Sequence, residues 1–258
     1  MIQYVRSRGP SGPLGIGDMR KTLTQLMSRR HAIGAIGAGT AAAVATACGG
    51  ENAVTGPTST STSTTTTTTT GGTTASGACV VAPSETIGPF PSRTDMFRSD
   101  VRENRQGTTL TLTIKVVSVN NGCAPVSGAD VEIWHVDAAG DYSQYGSQTA
   151  ATFLRGIQTS NSNGEVTFTT IYPGWYQGRA THIHIEVVQN GRSTRATQIA
   201  FPESINNEVH TSGVYASRGR NPMSNLSDGI FADSLSSELV TPTGSSASGY
   251  TASYQLGI

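Results

Sequence analysis

The chain has 258 residues, and its 17 basic and 17 acidic side chains give a formal net charge of zero at pH 7. A neutral chain without a basic stripe in its second half lacks the electrostatic footprint of a nucleic-acid-binding protein. The length accommodates one ordinary domain together with additional N-terminal sequence.

Residues 1–48 are predicted to be an export signal. The pair Arg29-Arg30 precedes an uncharged run of small and apolar residues, Gly34–Ala47, which is typical of a twin-arginine leader. This run is too short, and too rich in Gly and Ala, for a membrane span of about 20 apolar residues. We therefore expect an exported protein that is periplasmic, held at the cell surface or secreted. The translation start is open between Met1, Met19 and Met27.

Cys48 follows Ala45-Thr46-Ala47, a set of small residues that resembles a bacterial lipoprotein cleavage box. A lipid on Cys48 would tether the mature protein to a membrane, and the alternative is ordinary cleavage followed by secretion. Residues 49–78 are nearly all Thr, Ser and Gly. Because such a segment has no apolar face to bury, it is predicted to be a disordered linker. A folded domain is expected over residues 79–258.

The predicted domain contains short β-type runs separated by turn residues, without a convincing amphipathic helix. We predict strands over residues 109–119, 129–136, 165–171, 181–188 and 194–201. The breaks Asn163-Gly164 and Asn190-Gly191 are residue pairs that accept positive φ in tight hairpins. These features predict an all-β fold, a two-sheet β-sandwich.

The first two predicted strands show which residues face the core. In the first, the apolar side chains alternate with Thr and Lys, which predicts one buried face made of Leu110, Leu112, Ile114 and Val116. In the second, His135 alternates with apolar residues while Trp134 lies on the opposite face. His135 is therefore predicted to be a hydrogen-bonded core histidine and not a metal ligand.

His182 and His184 are the strongest candidates for a metal site. Period-two alternation places both imidazoles and Glu186 on one outward strand face, while the intervening Ile and Val residues point into the core. Two imidazoles on a rigid strand suit iron, copper, zinc or nickel, and the alternative is an ordinary surface or edge pair. Tyr176 precedes the strand as a candidate third donor, and Arg179 adds a cation nearby.

Two further residue sets have open interpretations. Tyr142 follows a turn after the second predicted strand, a common place for a functional side chain, and the alternative is an aromatic plug at the end of the sandwich. Cys79 and Cys123 flank the start of the patterned region. Export favours a disulfide between them, and two buried free thiols are the alternative.

In order along the chain, several short motifs resemble those of the intradiol ring-cleavage dioxygenases, the family of catechol and protocatechuate dioxygenases. They are Thr86-Ile87-Gly88-Pro89-Phe90, Ile133-Trp134-His135 with Gly140-Asp141-Tyr142-Ser143, Arg155-Gly156-Ile157-Gln158-Thr159, Thr170-Ile171-Tyr172-Pro173-Gly174-Trp175-Tyr176, and His182-Ile183-His184. The resemblance covers the chain from about Cys79 to the C-terminus. It depends on the order and combination of the motifs.

The resemblance implies one non-haem Fe(III) ion per chain, held by Tyr142, Tyr176, His182 and His184. Phenolate oxygens are hard donors that favour Fe(III), and the ion makes a phenol ionise on binding. In the family, a catechol binds as a chelating dianion and displaces the tyrosine that matches Tyr176, which acts as a base. Attack of O2 on the ring then gives a muconate-type diacid.

The resemblance also assigns the remaining site residues. Arg179 would stabilise negative charge on the substrate ring, and Gln198 matches a supporting glutamine of the family. The substrate mouth would be lined by Ile87, Gly88, Pro89 and Phe90.

The chain departs from the better-known enzymes in two respects. It lacks their long N-terminal helical dimerisation region, and its interval from Tyr176 to His182 is short. The oligomeric state, including a homo-oligomer, and the identity of the catechol therefore stay open. Two competing hypotheses are a non-catalytic extracellular β-sandwich binding module and a copper or zinc site of other chemistry.

Overall fold

The structure, a computed structural model, describes residues 79–258. The predicted export signal (1–48), the predicted linker (49–78) and Cys48 lie outside the described residues. Within the described range there are nine strands: β1 Thr109–Ser118, β2 Ala124–Pro125, β3 Asp130–Trp134, β4 Arg155–Thr159, β5 Glu165–Ile171, β6 His182–Gln189, β7 Arg192–Ala200, β8 Thr243–Ser245 and β9 Gly249–Gly257. Two α-helices accompany them: α1 Glu203–His210 and α2 Leu235–Glu238.

The strands form two sheets. The first sheet has the order β2-β1-β9-β8, with β5 also paired to β1, and the second has the order β4-β3-β6-β7. All pairs in the second sheet are antiparallel, whereas β1 and β9 run parallel. The predicted all-β, two-sheet sandwich is confirmed.

The core lies between the inner faces of the two sheets. In β1 the predicted alternation holds, because Leu110, Leu112 and Ile114 are fully buried and join the side chains of β3 and β6 in one apolar cluster. Burying a side chain of this size contributes about 1.5–3 kcal/mol. At the hairpin between β6 and β7, Asn190 and Gly191 both have positive φ, which is the geometry that their sequence predicts.

Several elements differ from the sequence prediction. Helix α1 was not predicted, because two of its three buried side chains, Asn206 and His210, are polar and leave a weak apolar pattern. Strand β3 ends at Trp134, two residues earlier than predicted, because the chain turns and Asp137 N donates to Asp141 O. Strands β2, β4, β8 and β9 also lie outside the predicted strands, and β2 spans only two residues. The glycines of β8 and β9 and the short length of β4 weaken the strand pattern.

An N-terminal segment crosses the outer face of the second sheet. It pairs with one sheet edge where Glu85 N donates to Ala196 O on β7, and with the opposite edge where Arg98 N donates to Ile157 O on β4. We call residues 86–93, which lie between these two edges, the strap. Among the described residues, no helix is both long and apolar enough to cross a bilayer.

The segment preceding the strap is joined to the first sheet covalently. Cys79 and Cys123 form a disulfide with their Cα atoms 5.8 Å apart, across a sequence separation of 44 residues. Close to the bond, Ala82 N donates to Gly257 O at the end of β9. The disulfide therefore holds the segment that leads to the strap beside the first sheet.

We expect the paired substitution Cys79→Ala and Cys123→Ala to lower the free energy of unfolding by about 4 kcal/mol, because the bond restricts the unfolded chain. Urea unfolding of the wild type with and without a reducing agent measures the difference. The paired variant should be insensitive to the reducing agent, and Cys48→Ala, which leaves this bond intact, serves as the matched control. A wild type whose unfolding midpoint ignores the reducing agent would contradict the prediction.

Candidate metal centre

Strand pairing places four unlike side chains in one transverse row on the outer face of the second sheet. Trp134 on β3 is opposite both Arg155 on β4 and His184 on β6, and His184 is opposite Gln198 on β7. Residues directly opposite one another in a sheet project from the same face. The row, in spatial order Arg155, Trp134, His184 and Gln198, forms the floor beneath the strap.

The two strand histidines are buried, not solvent-facing. His182 and His184 project away from the apolar core, as predicted, but they expose only 2% and 1% of their surface because other residues cover this face. Since they are buried on a strand paired on both sides, the alternative of an ordinary surface or edge pair is wrong. Trp134 stacks on His184 with ring centroids 4.7 Å apart, and Phe231 lies 6.5 Å from the His182 ring.

A short loop places the Tyr142 hydroxyl beside the histidines. Asp137 Oδ1 accepts hydrogen bonds from the backbone N–H groups of Ala139 and Asp141, which closes the turn before Tyr142. The Tyr142 hydroxyl lies 3.3 Å from His182 Nε2, which in turn lies 3.2 Å from His184 Nε2. Three potential metal-donor atoms therefore converge. If Tyr142 only plugged the end of the sandwich, its hydroxyl would not need to lie beside the two imidazoles.

Tyr176 lies at the margin of this cluster. Its half-buried ring has its centroid 5.6 Å from that of Tyr142 and 5.7 Å from that of His182. The turn that carries it packs directly on the Tyr142 loop, since a side chain at Gly174 would collide with the backbone oxygen of Asp137. Contact between the two turns thus brings together two tyrosines that are distant in sequence.

Burial keeps all these side chains in their neutral forms in the absence of a bound cation. It lowers the pKa of His182 to about 3 and that of His184 well below its usual value, with Arg179 contributing to both shifts. Burial also raises the pKa of the phenol of Tyr142 well above 10, and that of Tyr176 in the same direction. Ionising these phenols requires a nearby cation.

The donor set fits a first-row transition metal. His182 Nδ1 lies 2.6 Å from the carbonyl of Ala180 and donates to it, so Nε2 carries a lone pair that faces Tyr142 and His184. Within residues 79–258, no group of three or more His, Cys, Asp or Glu side chains is placed to hold a metal. The oxygen donor beside the two imidazoles is the Tyr142 hydroxyl.

Arg179 and Gln198 are joined in one hydrogen-bond chain beside the centre. Arg179 Nη2 donates to Gln198 Oε1 at 2.6 Å, and Gln198 Nε2 donates to Thr86 O at 2.9 Å. Asp228 accepts from Arg179 Nε at 2.8 Å and from the backbone N–H of Ala180 at 2.7 Å. Asp228 has no signal in the sequence, because it lies in an irregular loop without a recognisable motif.

The four residues predicted to line the substrate mouth belong to the strap. Gly88, with φ of 70°, passes so close to His184 that an added Cβ would lie 3.1 Å from its Cε1 atom. The Phe90 ring centroid lies 4.7 Å from that of Tyr142 and 6.0 Å from that of Tyr176. Ile87 and Pro89 are exposed on the outer side.

His135 lies apart from the centre, as the sequence predicted. It is fully buried, with Nδ1 2.8 Å from the carbonyl of Val136 and Nε2 2.7 Å from the hydroxyl of Thr170. Both ring nitrogens therefore have partners already, so neither is available to a metal.

Comparison with known proteins identifies the family. A model of the dioxygenase family matches residues 87–219, about half of the chain. The structure of an intradiol ring-cleavage dioxygenase from Tetranychus urticae is 32% identical, with a TM-score of 0.64, covering 70% of this chain and 95% of that one. This chain belongs to the intradiol ring-cleavage dioxygenase family.

More distant structures share the fold of this intradiol dioxygenase-family chain. The dioxygenase domain of a carbohydrate-binding fusion protein from Streptomyces sp. SirexAA-E is 24% identical, with a TM-score of 0.54, over 69% of this chain and 98% of that one. Catechol 1,2-dioxygenase from Pseudomonas arvilla C-1 is 18% identical, with a TM-score of 0.51, over 68% and 61% of the two chains.

We expect the metal-free protein to lose stability as the pH falls from 7 to 5. The pKa values of His135, about 4, and His182, about 3, lie below those of the unfolded chain, as does that of His184, so unfolding takes up protons below about pH 6.5. Burial raises the pKa of Glu238 to about 7, which has the opposite effect.

Burial lowers the pKa of His210 as well. Four histidines therefore outweigh one carboxyl group, so the free energy of unfolding should fall by roughly 2–4 kcal/mol per pH unit between pH 6 and 5. Urea unfolding at several pH values measures this slope. Glu238→Gln should make it steeper, whereas His135→Gln should make it shallower. An unfolding free energy that stays constant from pH 7 to 5 would refute the prediction.

Proposed function

We propose that this chain is a non-haem, Fe(III)-dependent intradiol dioxygenase that cleaves a catechol between its two hydroxyl-bearing carbons. Both atoms of O2 enter the product, a muconate-type diacid. The observation that carries the proposal is the convergence of the Tyr142 hydroxyl and the Nε2 atoms of His182 and His184 within 3.3 Å of their neighbours, on a buried face of a chain from this family.

Tyr142, Tyr176, His182 and His184 are the residues that would hold the iron. The fit rests on their chemistry, because two neutral imidazoles and two phenols supply the mixed nitrogen and hard oxygen donors that suit Fe(III). When bound, Fe(III) would ionise the phenols and the catechol and withdraw electron density from the substrate ring, which makes the ring open to attack by O2.

The two tyrosines differ in their surroundings, which supports different roles. Tyr142 is 5% exposed and lies in contact distance of His182, so it is suited to remain in place throughout the reaction. Tyr176 is only partly buried and lies at the margin. It is the phenol that an incoming catechol would displace, and as a phenolate it would accept a catechol proton.

Arg179 provides the positive charge of the site. Its guanidinium is held by Asp228 and Gln198, so the cation has one orientation beside Tyr176 and does not need to reorganise during the reaction. Its proximity lowers the pKa of Tyr176, although burial dominates and leaves a net increase. In this arrangement Arg179 stabilises anionic oxygens of the substrate, while Gln198 positions the arginine.

We expect the purified protein to contain about one iron ion per chain and to absorb visible light through a phenolate-to-iron charge-transfer band. Adding catechol in air should shift this band and release a dicarboxylic acid. When the reaction is run under 18O2, mass spectrometry of this acid should show that both added oxygen atoms carry the label. Stoichiometric copper or zinc would favour the other metal chemistry, and a protein without stoichiometric metal would favour the binding module.

The tyrosine variants separate the two ligand roles. Tyr142→Phe should lower both iron content and turnover, whereas Tyr176→Phe should retain part of the iron but shift the band and slow substrate deprotonation. His182→Ala and His184→Ala should each weaken iron binding severely. Removing a residue that only hydrogen-bonds to a metal ligand typically lowers metal affinity roughly 10–100-fold, and removing the ligand itself should cost more. Tyr145→Phe, in the same aromatic cluster, is the matched control and should keep its iron.

The double variant Tyr142→Phe, Tyr176→Phe tests the ligand assignment. If it cleaves catechol and holds iron at wild-type occupancy, the assignment is overturned. The comparison requires variants of equal folding, which circular dichroism checks. Iron content and ring cleavage are measured on the same preparations.

We also propose that the chain is exported through its twin-arginine leader and held at a membrane by a lipid on Cys48. The support is the sequence pattern: small residues before Cys48, and a Thr-rich linker after it that suits a tether. Cys48→Ser should move the protein from the membrane fraction to the soluble fraction in cell fractionation, while Cys123→Ser should not. Wild-type protein found wholly in the soluble fraction would refute the anchoring.

A further inference from the structure

Arg155 is a fully buried arginine whose side chain joins two separate segments of the site. Its Nε donates to Ser143 Oγ at 2.9 Å, and its Nη2 donates to the carbonyl of Ser143 at 2.8 Å. Its Nη1 donates to the carbonyl of Phe90 at 2.9 Å and to Ser92 Oγ at 3.2 Å. Burying a guanidinium is costly unless its donors are bonded, and here they bond across the gap between the strap and the Tyr142 loop.

The two joined segments each carry a side chain of the site. Ser143 directly follows Tyr142, and Phe90 presents its ring to Tyr142 with centroids 4.7 Å apart. Two further bonds connect the same two segments: the backbone N–H of Arg93 donates to Gln144 Oε1 at 2.7 Å, and the Tyr145 hydroxyl donates to the carbonyl of Pro91 at 2.7 Å. Among these links, only those of Arg155 join the residue that carries the Phe90 ring directly to the residue beside Tyr142.

The strap is held at its opposite end by the other terminal residue of the transverse row. There Gln198 donates to the carbonyl of Thr86. The carbonyls of Thr86 and Phe90 are thus bound from below by the two ends of one row, with His184 and Trp134 between them. At its end of the row, the planar guanidinium of Arg155 makes several hydrogen bonds at once. A lysine carries the same charge but cannot reproduce this geometry.

We infer that Arg155 is a positioning residue for ring cleavage: it holds the Phe90 ring beside Tyr142 and so sets how the substrate ring is seated. The consequence for substrate depends on the function proposed above, whereas the anchoring of the strap does not. Arg155 acts through its bonds to the strap and to Ser143. Its guanidinium carbon lies 5.7 Å from the centroid of the Tyr142 ring, and Arg155→Lys leaves a positive charge there. Its geometry, and not its charge, carries the effect.

Arg155→Lys tests this inference because it keeps the charge and removes the fork. In metal-free protein, amide hydrogen exchange of peptides spanning residues 86–93 should accelerate about tenfold, as expected for losing charge-assisted bonds. In the iron-loaded enzyme, KM for catechol should rise about tenfold while kcat changes much less, because the substrate is seated less well and the chemistry is retained. The tyrosine-to-iron band should shift as the Tyr142 loop relaxes.

Arg98→Lys is the matched control. Arg98 also binds backbone carbonyls, those of Arg155 and Thr152, but lies beyond the strap and touches neither Phe90 nor the Tyr142 loop. This variant should lower thermal stability without changing KM, the band or the exchange of residues 86–93. If Arg98→Lys raised KM as much as Arg155→Lys, the effect would be general destabilisation, and the inference would be wrong.

A double-mutant cycle with Phe90→Ala identifies the route of the effect. If Arg155 acts through Phe90, Arg155→Lys should raise KM far less in the Phe90→Ala background than in the wild type. Equal increases in both backgrounds, or unchanged strap exchange in Arg155→Lys, would overturn the inference. If the wild type neither holds iron nor cleaves catechol, the proposed function fails, and the exchange measurement still decides whether Arg155 anchors the strap.

Discussion

The register of the second sheet is the constraint on which the candidate metal centre depends. Antiparallel pairing of β4, β3, β6 and β7 places Arg155, Trp134, His184 and Gln198 side by side on one face. A slip of one residue in β6 would exchange the histidines for core isoleucines and would disrupt both the apolar core and the donor cluster. The core that stabilises the sandwich therefore also fixes the direction of both imidazoles.

Burial of this face explains the electrostatics of the centre. Because strap and loops cover the histidines and Tyr142, the pKa values of these side chains shift towards their neutral forms, and the site is prepared to receive a cation without internal charge of its own. Arg179 is the charged side chain beside these neutral ones, and it forms a salt bridge with Asp228. The same cover that produces these shifts also forms the mouth through which a catechol would approach.

The strap is where the N-terminal part of the domain meets the candidate site. A disulfide and a backbone bond attach its preceding segment to the first sheet, and polar side chains of the second sheet hold the strap itself at both ends. Binding a connecting segment through its carbonyls leaves its side chains free to shape the mouth. Under the proposed function, substitutions at Ile87 or Phe90 would alter substrate preference without changing the pairing of the sheet.

The sequence alone determined the all-β class, the main strands and the identity of both histidines and both tyrosines, because period-two alternation and short ordered motifs are local properties. It predicted which strand face carries the histidines but not that this face is covered, since the covering residues come from a strap about 95 positions earlier and a loop about 50 positions later in the chain. It also missed helix α1, whose buried face is largely polar, and it assigned no role to Asp228 or Arg155. Only the tertiary structure decided those points, because cover, strand register and the partners of a buried guanidinium depend on contacts between distant segments, for which a single sequence carries no periodic signal.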